Sequence, residues 1–452
     1  MTEMNAQCYN CDLRHNSGKH HPVRPILSLR RFHERSFDRP LTGPMTFNIT
    51  YGEGRVGVEV PESHPVFVLE QRRSNGVCSV AEELRREDVE SLLAPFQRVT
   101  LIVNDATRPT PTAEILRGLR PMLASKDVKI LIGTGAHRQP VEKEYQRLLG
   151  ERYEEFRPVT FAHDWRDERL LAKVGTTTRG TPVILNKRAL EAEAVLAISS
   201  VEPHWFAGYT GGRKSLLPAI AGEQSILANH KLVLKGESDS LKLTGNPVHE
   251  DMEEVLDLFP KPCFGVMTVQ DADGKVAAVY AGTLKEAFLA AIPRADEVYV
   301  VELPEKADIA IAVAAPPMDS DFFQARKAYD NGFRAVKPGG IVILVAQCGM
   351  GLGNPDFIGL LRASRDPDVI RQKIENEYAL GYHTAKHHLD MAEKVELWAV
   401  TDMESGVAEE LFVKPYPSLD SALQEAFRWK GKDARVAVLP QASLTVPRVH
   451  TG

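Results

Sequence analysis

Val99-Thr100-Leu101-Ile102-Val103-Asn104-Asp105-Ala106-Thr107-Arg108-Pro109-Thr110-Pro111 sets the fold class of this chain. The run Val99 to Val103 reads as a buried strand that ends in polar turn residues. Thr110-Pro111 then offers an N-cap and an N1 proline to a helix holding Ile115, Leu116 and Leu119. Val128 to Ile132 is the next strand, and Val195 to Ser199 is another, preceded by a helical stretch from Lys187 to Ala194. Strands alternating with helices imply a parallel α/β sheet with right-handed crossovers.

Working outward, Phe47 to Tyr51 and Val56 to Val60 flank Gly52-Glu53-Gly54 with the period of a hairpin. Asp296 to Lys306 reads as the passage into a second unit. There Ile309 to Ala314 is a strand, Asp321 to Val336 a helix and Ile341 to Val345 a strand, and Val395 to Val400 and Arg435 to Leu439 continue the alternation. The expectation is two α/β domains with mainly parallel, Rossmann-like sheets, spanning 45–300 and 301–452, with the active site in the cleft between them. Residues 1–44 differ in kind and are expected to form a disordered extension. Cys8-Tyr9-Asn10-Cys11 makes only half of a usual zinc module, and Asp12, Glu34 and Asp38 interrupt its basic stretch as a transit peptide would not.

Composition narrows the function. At 452 residues, 43% hydrophobic and 26% charged, the chain has the make-up of a globular protein of two or three domains. A net charge of -6 leaves no basic footprint for nucleic acid. No apolar run approaches the roughly 18 residues that a membrane span needs. Five scattered cysteines form no disulfide framework, which favours a reducing compartment and a cytoplasmic enzyme.

Chemistry concentrates in loops that follow the strands, where open parallel sheets bind ligands. Asp105 and Arg108 follow the first strand of the α/β pattern, and His137, in Gly133-Thr134-Gly135-Ala136-His137, follows the next. A carboxylate beside an imidazole fixes its tautomer, and an arginine can hold a carboxylate with two hydrogen bonds. Taken alone, Asp105 could equally cap the following turn. His204, in Glu202-Pro203-His204, could approach a small substrate opposite His137 as paired acid and base, an arrangement suited to inverting a stereocentre. His163 is a third candidate that spacing alone does not rank lower. Gly208-Tyr209-Thr210-Gly211-Gly212-Arg213-Lys214-Ser215 invites comparison with a P-loop but has Arg213 where glycine must precede Lys-Ser. Its glycines still suit close backbone approach to a phosphate or nucleotide. Gly349-Met350-Gly351-Leu352-Gly353 is an incomplete dinucleotide fingerprint, since its sixth position is Asn354. His230 lies in an expected helix, Glu223 to Leu234. A lone histidine cannot make a metal site, so any metal there must bring most of its ligands. Gln324 and Lys327 share a helix face and could receive a carboxylate or hydroxyl.

Together these residues resemble the lactate racemase family, the nickel-dependent 2-hydroxyacid racemases and epimerases. The resemblance runs from about Met45 to the C-terminus and is strongest from Glu202-Pro203-His204 through Phe206-Ala207-Gly208, Gly211 to Ser215 and Leu217-Pro218 to Asn229-His230. It implies a nickel-pincer nucleotide, a pyridinium-3,5-bisthiocarboxylic acid mononucleotide, with His230 as nickel ligand and Lys214 tethering one arm as a thioamide. Asp105, Thr107, Gly211, Gly212 and Arg213 would line the cofactor, and enzymes of its biosynthesis would supply it. His137 and His204 would be the acid/base pair, Arg108 a catalytic partner, and Gln324 and Lys327 substrate contacts. The implied reaction moves hydride from C2 of a 2-hydroxy acid to the pincer ring and returns it to a rotated 2-keto acid. Deprotonating C2 instead would place a second negative charge beside the carboxylate. Phe323, where the family's type member has tyrosine, and Gly381-Tyr382-His383-Thr384, where it has an aromatic pocket residue, leave the particular 2-hydroxy acid open. The competing readings are an NAD-dependent oxidoreductase and a non-catalytic cofactor-binding protein of the same fold. The first leaves Lys214 and His230 without work, and its glycine fingerprint is incomplete.

Overall fold

The aliphatic runs become the strands of two six-stranded sheets, and the segments between them become covering helices and loops. A computed structural model describes residues 45–74 and 78–449, so the expected extension at 1–44 lies outside the described residues. In the first sheet the spatial order is Val276–Thr283, Cys263–Gln270, Ala194–Ser200, Arg98–Asn104, Asp127–Gly133 and Thr160–Ala162. Every neighbouring pair is parallel except the hairpin of Cys263–Gln270 with Val276–Thr283. Arg98–Asn104 comes first in the chain, yet lies between Asp127–Gly133 and the much later Ala194–Ser200. The order of winding reverses there, and such a switch point opens a crevice at the carboxyl ends of the strands.

Both faces of this sheet are covered, which is why its strands read as continuous apolar runs rather than alternating ones. Leu101 and Val103 pack on one face with Ile115, Leu116 and Leu119 of the helix Thr112–Leu123. Ile102, Leu131 and Ala197 pack on the other with Leu216, Leu217 and Phe288. The second sheet is parallel throughout, in the order Lys414–Pro415, Glu396–Val400, Val336–Val345, Ala307–Val313, Val436–Leu439 and Val66–Val68.

Local departures from the sequence reading have local causes. Residues 45–68, read with the first sheet, build onto the second. Val66–Val68 pairs with Val436–Val438, and Phe47, Ile49 and Val58 of the hairpin cover Ile309, Ile311 and Ile343. The passage at 296–306 is more structured than expected, since the helix Leu284–Tyr299 leads into a strand, Val300–Leu303, that pairs with Val446–Val449. Thr110 does not cap its helix, which starts at Thr112. Its hydroxyl instead bonds Asn104 Oδ1 at 2.9 Å and Ser200 Oγ at 3.1 Å, tying two strand ends together. The helix expected over Asp321 to Val336 is two helices, Phe322–Ala325 and Lys327–Ala335, meeting at Arg326. The Arg326 guanidinium is buried there against Asp330, at 3.3 Å.

Candidate active site

Asp105, His137 and His204 follow three adjacent strands, Arg98–Asn104, Asp127–Gly133 and Ala194–Ser200, at the switch point of the first sheet. Asp105 Oδ2 lies 2.7 Å from His137 Nδ1, while Asp105 Oδ1 accepts the Thr107 hydroxyl at 2.6 Å. Burial pushes the Asp105 carboxyl up, but His137, the Thr107 hydroxyl and Arg108 outweigh it and hold it below the usual carboxylate range. An ionised Asp105 accepts the Nδ1–H of His137, which leaves Nε2 free to take a proton. The His137 side chain is half exposed, so that nitrogen is accessible. Asp105 therefore orients the imidazole instead of serving only the turn.

His204 stands on a two-residue hairpin, Pro203–His204 against Gly208–Tyr209, with Trp205, Phe206 and Ala207 at its tip. The Ala207 N–H points at His204 Nδ1, 3.3 Å away, so the neutral ring carries its proton on Nε2. Burial first, then the charges of Lys214, Arg108 and Lys327, push the His204 ring well below the usual histidine range. The two histidines thus present opposite faces of the same chemistry, an acceptor nitrogen on His137 and an N–H on His204.

Lys214 sits in a single turn, Gly212–Ser215, beneath the ring of Phe206, with Nζ 5.4 Å from its centroid. Burial, then Arg108, Arg213 and Lys327, lower its pKa well below the ordinary lysine value, which makes its amine easier to deprotonate than that of an ordinary lysine. Gly211 and Gly212 have φ of +76° and +56°, and their close neighbours belong to the protein itself. An added Cβ would lie 2.9 Å from the Ser200 carbonyl at Gly211 and 2.5 Å from Phe288 at Gly212. Arg213, expected to line a cofactor, is turned inward: its guanidinium bonds the Ala207 and Gly211 carbonyls and stacks 4.3 Å over Phe288. These three residues shape the loop that presents Lys214.

His230, on the helix Glu223–Lys231, packs edge-on against Phe206 at 5.2 Å and against His383 at 5.6 Å. Its Nδ1 is buried with no hydrogen bond of normal geometry. Burial, then Lys214, pushes its pKa down to about 3 against weak support from the Ile226 carbonyl, so the ring is a neutral donor. Among the described residues no group of three or more His, Cys, Asp or Glu is placed to hold a metal. From the second sheet's side, Lys327 Nζ donates to Gln324 Oε1 at 2.6 Å, and burial, then Arg108 and Arg326, pushes Lys327 down to about 7.

His163 is not part of this group. It is fully buried, with Nε2 3.0 Å from the Ala221 carbonyl and Nδ1 3.0 Å from the Asn186 amide. Sequence reading missed Trp205 and His387, whose rings stack 4.5 Å apart across the cleft. It also missed the bond between Tyr378 Oη and His383 Nδ1, at 2.8 Å. The spacing of His383 and His387, four apart on the helix Tyr382–Ala392, was the available signal.

A doubly wound sheet with His137 and His204 in the loops at its switch point, and with Lys214 and His230 buried beside Phe206, defines an α/β enzyme fold. Residues 51–241 match the family model of the lactate racemase N-terminal domain, and residues 303–446 that of the lactate racemase C-terminal domain. The chain belongs to the lactate racemase family and is an isomerase of the racemase type. It is 28% identical over 422 residues to lactate racemase of Thermoanaerobacterium thermosaccharolyticum, covering 88% of this chain and 98% of that one. It is 28% identical over 382 residues to lactate racemase of Lactiplantibacillus plantarum, covering 80% and 88%. The solved apoprotein of the T. thermosaccharolyticum enzyme superposes with a TM-score of 0.82 at 28% identity, over 89% of this chain and all of that one. A Thermotoga maritima protein shares the fold alone, with a TM-score of 0.67 at 17% identity over 83% of this chain and all of that one. No helix of the described residues is long and apolar enough to cross a membrane.

Proposed function

We propose that the chain is a nickel-pincer nucleotide-dependent racemase or epimerase of a 2-hydroxy acid, working in the cytoplasm and loaded by the enzymes that make the cofactor. The observation that carries this reading is the gathering of His204, Lys214 and His230 around the Phe206 ring, beside the loop of Arg108 and the Asp105–His137 pair, with His230 Nδ1 lacking a hydrogen bond of normal geometry. The donor set fits the group. A single neutral imidazole suits a metal whose other ligands come with an organic cofactor, and a buried amine whose pKa is lowered can be acylated. His230 would ligate the nickel and Lys214 would hold one arm. When bound, the cofactor supplies a centre that accepts the C2 hydrogen with its electron pair and gives it back.

The chain's own residues do the rest. Arg108 and Lys327 hold the substrate carboxylate, with Gln324 steadying Lys327. For one hand of substrate, His137 Nε2 takes the hydroxyl proton, and Asp105 stabilises the imidazolium that results. The other hand requires His204, which becomes an acid or a base only by releasing the Ala207 N–H from Nδ1. The 2-keto acid turns between the two imidazoles while its carboxylate stays held. Phe323 and the segment Gly381 to Thr384, which differ from the family's type member as noted above, leave the particular 2-hydroxy acid open.

The test is metal analysis and intact mass of protein co-produced with the cofactor-making enzymes, followed by chiral assay on a panel of 2-hydroxy acids. Nickel, a covalent adduct on Lys214 and racemisation of one of the acids are expected. A fully loaded protein that interconverts none of them would overturn the reading.

A further inference from the structure

We propose that Trp205 is a positioning residue for His204, an indole latch that fixes the catalytic hairpin against the second half of the protein. The proposal rests on the acid–base role read for His204 above. Trp205 directly follows His204 at the hairpin tip. One side of its ring meets Phe206 edge-on at 4.8 Å, and His204 itself meets the same Phe206 ring edge-on at 4.5 Å. Its flat face stacks on His387, with centroids 4.5 Å apart and planes 15° apart, and His383 lies nearly parallel to it at 5.9 Å.

His387 is in turn anchored. Its Nε2 lies 3.1 Å from Asp330 Oδ1, and the same oxygen faces the buried Arg326 guanidinium at 3.3 Å. Arg326 and Asp330 belong to the paired helices that carry Gln324 and Lys327. A continuous line of contacts therefore runs from His204 through Trp205, His387, Asp330 and Arg326 to the side chains that receive the substrate carboxylate. The links between residues distant in the chain are directional, the Trp205–His387 stack and the bonds of His387 and Arg326 to Asp330, so the line fixes distance and angle between the two walls of the cleft. The reaction needs that relation held closely, because His204 must meet an oxygen whose position is set by Lys327. A misplacement of about 1 Å at a reacting group can cost on the order of 10²-fold in rate.

The experiment compares cofactor-loaded parent, Trp205→Leu, Trp205→Phe, His387→Leu and His204→Ala for kcat, KM, nickel content and melting temperature. Trp205→Leu should lower kcat by roughly 10- to 10²-fold with KM and nickel content close to parental. Trp205→Phe, which keeps a stacking ring, should recover most of the loss. His387→Leu removes the stack from the other half and should lower kcat in the same way. It carries the test should Trp205→Leu not fold, since Asp330 keeps Arg326. Parental kcat in Trp205→Leu overturns the proposal, as does equal loss in the Phe and Leu variants together with a lower melting temperature. His204→Ala separates the failures. An active His204→Ala removes the acid–base reading and the proposal with it, whereas an inactive one beside an unaffected Trp205→Leu overturns the proposal alone.

Discussion

A methyl group added at Gly208 would lie 2.4 Å from the Lys242 carbonyl and one at Gly212 2.5 Å from Phe288, whereas at Gly351 it would meet nothing within 4 Å. The two glycine-rich loops, Gly208 to Ser215 and Gly349 to Gly353, resemble each other as sequence and differ in what surrounds them. The first is pressed into the first sheet, and its backbone follows a path that only glycine allows, delivering Lys214 to the cleft. The second is open at its start, with Met350 82% exposed, and is packed only at its end, where a methyl at Gly353 would lie 2.4 Å from Asp321 Oδ1. Its Gly351 and Leu352 carbonyls accept the N–H groups of Phe322 and Phe323, supporting the helix that carries Gln324. Asn354, which spoils the dinucleotide fingerprint, spends its side chain capping the next helix at the Phe357 N–H, 2.8 Å away. One loop presents a reactive group and the other props the helix that presents Gln324, just before the helix that begins at Lys327. Glycine spacing alone does not distinguish them.

The sharpest way to break this contrast is Lys214→Ala, which should abolish the covalent adduct in intact mass, while Met350→Ala leaves it unchanged. Next come His137→Ala and His204→Ala, each expected to lower the racemisation rate by about 10²–10⁴ with the melting temperature retained. A similar loss in Met350→Ala would erase the functional difference between the loops.

Lys327, propped by the second loop, gives a pH test. Its pKa is pushed down to about 7, so the ammonium that holds the carboxylate is lost as pH rises through that value. Then kcat/KM should fall on the alkaline side, and Lys327→Gln should remove that limb along with much of the affinity. Because the folded protein disfavours this charge, the lysine destabilises the fold increasingly as pH drops from the ordinary lysine range toward about 7. Lys327→Gln should therefore raise the melting temperature at neutral pH more than at strongly alkaline pH.

The smallest effects separate the glycines themselves. Gly212→Ala meets both the Phe288 clash and an unfavourable left-handed backbone, together about 2–5 kcal/mol. Gly351→Ala, at φ +90°, meets only the backbone term, about 1–2 kcal/mol. Chemical denaturation of the two variants measures the difference, and equal losses would show that Gly212 is no more tightly packed than Gly351.

Several features were legible along the chain because they depend on near neighbours. The aliphatic runs that became the strands Arg98–Asn104 and Asp127–Gly133 declared themselves by burial on both faces. Asp105 and His137 were placed together by the rule that successive parallel strands present their carboxyl ends at one edge, and Gln324 and Lys327 by helical spacing. The chain also excluded a P-loop, since Arg213 occupies the position where glycine is required. Only tertiary structure decided the rest, because it turns on which surfaces meet across the fold. His163 looked like His137 in sequence, yet its nitrogens are satisfied by the Ala221 carbonyl and the Asn186 amide. Arg213 looked like a cofactor contact until packing against Phe288 turned it inward. The hairpin at Met45–Val60 packed on the second sheet because that sheet's face of Ile309, Ile311 and Ile343 needed covering. The tautomers of His137 and His204 were set by Asp105 and the Ala207 N–H, bonds whose geometry exists only once the loops are folded.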